Sequence, residues 1–356
     1  MSILSNPFNQ EKDEPSSSLQ FSSVGVDVDQ ISHYYRIHDL PIDGPIPNAN
    51  ASWEVAIPRF MDLFEEVGIK GTFYCVGADV ENHAGNQALL KEMVKRGHEI
   101  GNHSWHHYYD LTGLDEDTQM DEVQKSKEIL EYYAGTKVVG FRAPGYHSNG
   151  ILSTAAKESG HLYESSAFPC SSYYLAKALV MGIMKLRGQN SKAILGNPTM
   201  LLAPKAAYVA KIDQPYHAIT TLENEDLCEI WEKEHLPKEI KEAFHHGLFH
   251  FPISVFLEIP LIGTAFSALG KDLSKQLIKL ALKSQRQLTV EFHSVDLLSL
   301  MDDGLDARLD KQNDLNWSVA KKRECAKVVL EALHKRSKVV TLSELVGKGM
   351  RQVVAG

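Results

Sequence analysis

GTFYCVGADVENHAGNQALLKEMVKRGHEIGNHSWHH, residues 71–107, is the stretch that decides the fold. It opens on a short β-favouring run, GTFYCVG (71–77), and a second such run, HEIGNHS (98–104), follows it. Between them Asn86 to Arg96 reads as a helix that stops at Gly97, a helix-ending signal. Strand, crossover helix and strand in so short a span are the unit of a parallel sheet. The same rhythm extends in both directions. Upstream, SSVGVDVD (22–29) is a strand, and Trp53 to Val67 carries Val55, Ile57, Phe60, Met61, Phe64 and Val67 at helical spacing before Gly68. Downstream, a helix from Thr118 to Tyr133 leads to KVVGFRA (137–143), and one from Ile151 to Ser159 leads to HLYESSAF (161–168).

Regularity is lost between about 170 and 287, where only Asn224 to Glu234 reads as a clear charged helix, and this region is expected to be a large insertion. The rhythm returns with LTVEFHS (288–294), a helix from Ser318 to His334 and a last strand KVVTLSEL (338–345). Such alternation predicts an α/β fold, a barrel of (β/α) type more than an open sheet, spanning 21–346. A polar, flexible N-terminal tail (1–20) and a C-terminal tail (347–356) flank it.

Composition narrows the function. The 356 residues are 43% hydrophobic and 23% charged, ordinary values for a globular enzyme. Lys plus Arg count 37 against 46 Asp plus Glu, a formal net charge of −9, so no broad basic field attracts nucleic acid. Cys75, Cys170, Cys228 and Cys325 form no CxxC pair, which argues against a disulfide framework or a cysteine zinc site and suits reduced thiols in the cytoplasm. The N-terminal residues lack the pattern of a secretory signal, and no apolar run reaches the roughly 18 residues of a spanning helix. Tyr173 to Leu186 and Val255 to Leu269 are nonetheless apolar. They read as core packing against the barrel or as an exposed lip that brings the mouth to a membrane surface and a lipid-linked sugar.

The chemistry-bearing residues fall at strand ends. Asp27 and Asp29 share one face of the first strand with Gly25, while Val24, Val26 and Val28 face the other. Two carboxylates so close call for a cation or a shared proton; the alternative is a pair of solvated turn residues. After the third strand come His103, His106 and His107. If the chain turns helical there, His103 and His107 lie four apart on one face and can hold one metal ion, with His106 directed elsewhere; otherwise they are loop histidines. The fourth strand ends in FRAPGYH (141–147), where Arg142 can hold a carboxylate in a bidentate pair or make a structural salt bridge. Gly145 lets the backbone approach a ligand, so a main-chain N–H there could face an oxyanion. On the late strand Glu291 and His293 share a face, and His293 has the pKa range of a general acid. The other histidine cluster, His245, His246 and His250, is read as loop residues, with a second metal site as the alternative.

Taken together in this order, these residues resemble the polysaccharide deacetylase family, the NodB homology fold of carbohydrate esterase family 4. VGVDVD (24–29) resembles its first motif in an Asp-x-Asp form, RGHEIGNHSWHH (96–107) its His-Ser/Thr-x-x-x-His metal motif, FRAPGY (141–146) its Arg-x-Pro motif and EFHSVDLL (291–298) its late histidine motif. GTFYCVG and YESSAFP match framework stretches, so the resemblance covers about 21–169 and 288–346. It implies a distorted (β/α)7-type barrel with one divalent metal, most often zinc, held by Asp29, His103 and His107. Asp27 would be the general base, oriented by Arg142, and His293 the general acid. The metal and a backbone N–H at Gly145 or Tyr146 would steady the oxyanion. The implied activity is removal of an acetyl or formyl group from an N-acylated sugar or glycan.

Two departures bear on the substrate. The family's adjacent Asp-Asp is Asp-x-Asp here, as in atypical members that include cytoplasmic amidases and deformylases. Glu291 stands where a leucine lining the acyl-methyl pocket is common, and 170–287 matches nothing specific. Hydrolysis of a small non-sugar amide, or a catalytically silent barrel that binds glycan or protein, are the rival readings.

Overall fold

A computed structural model describes residues 19–186, 195–284 and 287–354. The expected N-terminal tail therefore lies outside the described residues except for its last two positions. Among the described residues one ten-stranded sheet organises the fold. Its strands are β1 (Phe21–Val28), β2 (Thr72–Cys75), β3 (Glu99–Asn102), β4 (Gly140–Phe141), β5 (Tyr163–Glu164), β6 (Tyr208–Lys211), β7 (Gln214–Thr221), β8 (Gly247–His250), β11 (Gln287–His293) and β12 (Lys338–Val339). The short strands β9 (Val255–Phe256) and β10 (Ile259–Pro260) form a separate antiparallel hairpin.

The sheet runs β11-β1-β2-β3-β4-β5-β8-β6-β7. Pairing is parallel from β11 through β8, and β6 and β7 then add in antiparallel sense. β12 pairs with the first residues of β1. The sheet curls on itself. Beyond β8 the chain reaches β11, where Ser254 N–H donates to the Thr289 carbonyl at 2.9 Å and Glu291 N–H to Leu261 at 3.2 Å. This is the distorted barrel that the βα rhythm predicts.

Alternation along β1 divides its side chains as the sequence requires. Val24, Val26 and Val28 are buried in one core with Phe60, Phe64 and Phe292, each such side chain contributing about 1.5–3 kcal/mol. The opposite face has almost no room. A Cβ on Gly25 would lie 3.0 Å from both the Arg142 guanidinium and the Tyr74 ring, so glycine lets the arginine cross the barrel. The helix over β1, Ile57–Val67, ends at Gly68 with φ 79°, the left-handed cap its sequence announces. Asp115 and Asn149 cap the helices Glu116–Ala134 and Gly150–Glu158 by accepting from Thr118 N–H and Leu152 N–H.

Three expectations are corrected. The region of about 170–287, expected as an insertion without regular strands, adds β6, β7 and β8 to the main sheet. β6 and β7 pair with each other as a local hairpin, but β8 joins them to the sheet by pairing Phe249 with the distant Tyr163 of β5, and the local rhythm is silent about that joining. KVVTLSEL is a strand only at Lys338–Val339. Its remainder begins a helix, Leu342–Val354, that runs into the expected C-terminal tail as far as Val354 and buries Leu345, Val346 and Met350. His245 ends a helix and His250 lies buried on β8, 3.7 Å from Glu164, so neither is a loop residue.

Candidate active site

Strand register assembles the site. Asp27 on β1 is paired with His293 on β11 and with Tyr74 on β2, which sets an acidic and an imidazole side chain side by side at the carboxyl ends of the strands. His103 N–H donates to the Cys75 carbonyl and Arg142 N–H to the Asn102 carbonyl, each at 2.9 Å, so the ends of β3 and β4 bring their side chains to the same mouth.

His103 and His107 do converge, but not on a helix. Ser104 and His107 adopt left-handed φ values of 62° and 57°, and the Ser104 hydroxyl accepts His107 N–H at 3.1 Å. The chain folds back in a tight turn whose strained backbone is set by surrounding contacts. His103 Nδ1 lies 2.7 Å from the Arg142 carbonyl, to which it donates, and that bond leaves Nε2 as the free lone pair. Both Nε2 atoms face Asp29 Oδ1, at 3.4 Å from His103 and 3.0 Å from His107. His106 points elsewhere, to Glu122 at 2.5 Å.

These three ligand atoms all lie within 4.8 Å of one another, and Asp29 Oδ1 is buried with no hydrogen-bond partner. A buried, unsatisfied carboxylate oxygen converging with two imidazole lone pairs fits a divalent cation. Burial opposes the Asp29 charge, yet His107 and His103 hold its pKa well below the usual carboxylate range. A second trio, Asp27, Glu291 and His293, is equally compact, but Arg142 reaches Asp27 and Glu291 from behind and disfavours a cation there.

Asp27 is 2% exposed and Arg142 is fully buried. The Arg142 Nη1 donates to Asp27 Oδ1 at 2.6 Å, its Nε to the Ser165 carbonyl at 2.9 Å and its Nη2 to the Ser165 hydroxyl at 3.0 Å. The guanidinium also lies 4.0 Å over the Tyr74 ring. Burial again opposes ionisation of Asp27, but Arg142, with His103 and His293, outweighs it and keeps the carboxyl below its ordinary pKa. Asp27 Oδ2 is left facing the Asp29, His103 and His107 trio, 3.7 Å from His103 Nε2.

His293 lines the same cavity, its side chain a quarter exposed and its Nε2 3.8 Å from Glu291 Oε1. Its backbone N–H donates to the Asp296 carboxylate at 2.8 Å, which fixes the turn that carries the ring. Burial alone would lower its pKa. Glu291, then Asp27 and Asp29, overcome burial and push it up to about 9. Glu291 is fully buried, accepts from the Tyr146 hydroxyl at 3.0 Å, and is pushed up to about 8 by burial and by Asp27. It stands behind Tyr146 rather than on the cavity wall. The Tyr146 N–H already donates to the Ala143 carbonyl at 3.2 Å, which leaves Gly145, with φ 62°, as the residue of that pair whose N–H can serve a ligand.

The cavity is about 300 Å³ and is lined by Asp27, Asp29, His103, His107, Gly145 and His293, closed in by Tyr109, Tyr146 and Tyr173. Two contributors had no clear sequence signal. Tyr173 comes from the irregular region, where nothing local marks it as a wall residue. His33 stacks on His107 with ring centres 4.5 Å apart and an interplanar angle of 15°. Burial, with the nearby His107, keeps His33 well below the usual histidine pKa and hence neutral. Its position four after Asp29 on a short helix, Ile31–Ile37, was the available hint.

Residues 43–163 match the polysaccharide deacetylase family. A peptidoglycan-N-acetylglucosamine deacetylase of Bacillus cereus is 32% identical over 119 residues, 33% of this chain and 50% of that protein. A peptidoglycan deacetylase of Helicobacter pylori is 27% identical over 147 residues, 40% of this chain and 48% of that protein. The chain thus matches about half the length of these curated relatives. Among solved structures, a candidate polysaccharide deacetylase from Mycobacterium smegmatis superimposes with a TM-score of 0.56 at 17% identity, covering 96% of this chain and 93% of that one, a likeness of fold. The matched segment contains the two histidines and Arg142, and the barrel adds Asp27, Asp29 and His293 from either side of it. With the strand order, the curled sheet and the matched segment in agreement, residues 43–163 are those of the polysaccharide deacetylase family match, set in a barrel of like fold.

Proposed function

We propose that this protein is a metal-dependent deacylase that hydrolyses an N-acetyl or N-formyl group on an amino sugar, free, in a glycan or lipid-linked. The observation that carries the reading is Asp29 Oδ1 lying between the Nε2 atoms of His103 and His107, with the Arg142-held Asp27 beside them. Asp29, His103 and His107 would hold the cation, and zinc suits two imidazoles and a carboxylate with positions left open. Such an ion supplies a Lewis acid that polarises a carbonyl and lowers the pKa of water.

The chain's own groups divide the remaining work. Asp27, ionised through Arg142, accepts at Oδ2 the proton of the water whose oxygen bonds to the amide carbon. The Gly145 N–H faces the oxygen that gains charge. His293 delivers its Nε2 proton to the amide nitrogen as the carbon–nitrogen bond breaks, leaving an amine and a carboxylic acid. The tyrosines around the cavity exclude bulk water and offer flat faces to a sugar ring. Four free thiols support a cytoplasmic location. The test is release of acetate or formate from a panel of N-acyl amino sugars by zinc-loaded protein, with metal content measured per chain. A zinc-loaded protein that hydrolyses small non-sugar amides but no member of that panel would overturn the sugar assignment.

A further inference from the structure

The walls of the cavity come from segments far apart in sequence, and hydrogen bonds and packed rings join them into a rim. Thr264, at the start of the helix Gly263–Leu269, donates its hydroxyl to Asp314 Oδ2 at 2.8 Å and so ties the irregular region to the segment that follows β11. Gln312 Nε2 donates to the same oxygen at 3.1 Å, and Gln312 Oε1 lies 3.0 Å from His38 Nε2, just past the helix Ile31–Ile37. Buried Lys322 donates to the Asp314 carbonyl at 2.7 Å and fixes that segment from below. One side of the mouth is thereby closed.

The opposite side is aromatic. Tyr173, near the start of the helix Ser171–Leu186, packs on Phe168 with ring centres 5.0 Å apart and on Tyr146 at 6.5 Å. Lys177 follows four residues later on the same helix face, its Nζ 5.4 Å from the centre of the Tyr109 ring. Tyr109 packs so near Gly145 that a Cβ on that glycine would lie 3.1 Å from its ring. The rim therefore runs from Gln312 and Asp314 through Thr264 to Tyr173 and Tyr109. Beyond Tyr109 a second cavity, of about 470 Å³, adjoins the first and shares Ile37, His107 and Tyr109 with it.

A cavity of about 300 Å³ stands at the lower end of the range for small-ligand pockets, room for one sugar ring and its acyl group. An internal unit of a polymer has a neighbour on each side and needs two exits from the site. Among the described residues the rim leaves one, toward the second cavity. We propose that the site takes a single N-acylated amino-sugar unit, free or at the end of a chain, with its one onward substituent in the second cavity, and rejects internal units of a polymer. This rests on the deacylase reading and narrows its substrate. It also gives the region of 170–287 a task, because Tyr173, Ile262 and Thr264 of the wall all come from it.

The experiment offers full-length zinc-loaded protein two classes of probe. One is the methyl glycosides of N-acetyl- and N-formylglucosamine and of the matching galactosamines; the other is the linear hexamers of N-acetyl- and N-formylglucosamine. Released acid is measured, and mass spectrometry locates each freed amine along the hexamer. The proposal expects hydrolysis of a methyl glycoside, and loss from a hexamer of no more than one acyl group, from an end unit. Tyr173→Ala and Thr264→Val each open the rim, so loss from internal units should rise roughly tenfold relative to loss from end units. Circular dichroism checks the fold of both variants, and Thr264→Val keeps the side-chain shape while removing the donor. Wild-type protein that frees amines inside the hexamer would overturn the single-unit inference and leave the deacylase reading standing. Two folded variants still confined to end units would overturn it as well. Silence toward every probe would overturn both.

Discussion

Arg142 and Asp27 form a buried ion pair with Nη1 2.6 Å from Oδ1, and the same guanidinium is pinned by both the carbonyl and the hydroxyl of Ser165. The arginine therefore holds the charge of Asp27 and aims its second oxygen at the Asp29, His103 and His107 trio. Replacing it by an apolar side chain leaves a carboxylate buried without its cation. Arg142→Met should cost about 3–5 kcal/mol of stability. It should also move the acidic limb of the rate profile to higher pH, because the Asp27 carboxyl loses the partner that depresses its pKa. Chemical denaturation and a pH–rate profile check the two effects, and an unshifted acidic limb would remove Asp27 as the base.

Asp27→Asn keeps shape and an acceptor for Arg142 but cannot take a proton. Metal content should stay at the wild-type level, since Asp29, His103 and His107 are untouched. Turnover should fall by about 10²–10⁴. A variant retaining more than about a tenth of wild-type turnover would place the base elsewhere.

His103→Ala and His107→Ala each take one imidazole from the cluster around Asp29 Oδ1. In the wild type, added zinc should raise Tm relative to chelated protein, because a ligand bound only by the folded state stabilises it. In either variant this difference should vanish or shrink severely. Differential scanning fluorimetry with and without chelator reads it directly.

On the proposed mechanism His293 works as an acid only while protonated. Its pKa is raised to about 9 by Glu291 and by the aspartates against the effect of burial. Activity is thus retained at neutral pH and lost as pH rises through that value. A bound cation nearby repels the imidazolium charge, so the basic limb should fall at or below about 9. His293→Gln should abolish that limb together with most of the turnover.

Acid stability should report a buried histidine outside the cavity lining. His161 Nδ1 donates to the Ala156 carbonyl at 3.0 Å and its Nε2 accepts from Asn102 at 3.2 Å, so the folded ring is neutral. Burial lowers its pKa from 6.5 to about 3. Between those values the unfolded chain binds a proton that the folded chain does not, so stability is full above 6.5 and falls as pH drops. His161→Gln should flatten Tm between pH 6.5 and 4, removing on the order of 2–3 kcal/mol of that dependence.

Much of this was legible along the chain, for local reasons. The valine alternation of β1, the glycine stop at Gly68 and the strand–helix–strand of 71–104 depend on neighbouring residues, so their signals survive without tertiary context. The Leu342–Val354 helix was obscured because its first residues continue a strand-like run, and its apolar face shows only once packed. The turn at Ser104 and His107 was hidden because no local propensity favours left-handed serine or histidine; its surroundings impose it.

By itself the sequence determined the βα rhythm, the residue types at the strand ends and the family they resemble. The tertiary structure alone decided that Asp27 lies in register with His293, that β6, β7 and β8 complete the sheet, that Tyr173 walls the cavity, and that Glu291 sits behind Tyr146. Periodicity is encoded between neighbours a few residues apart. Convergence of side chains some 270 positions apart depends on how the sheet curls and closes, a sum over many weak contacts that no single segment carries.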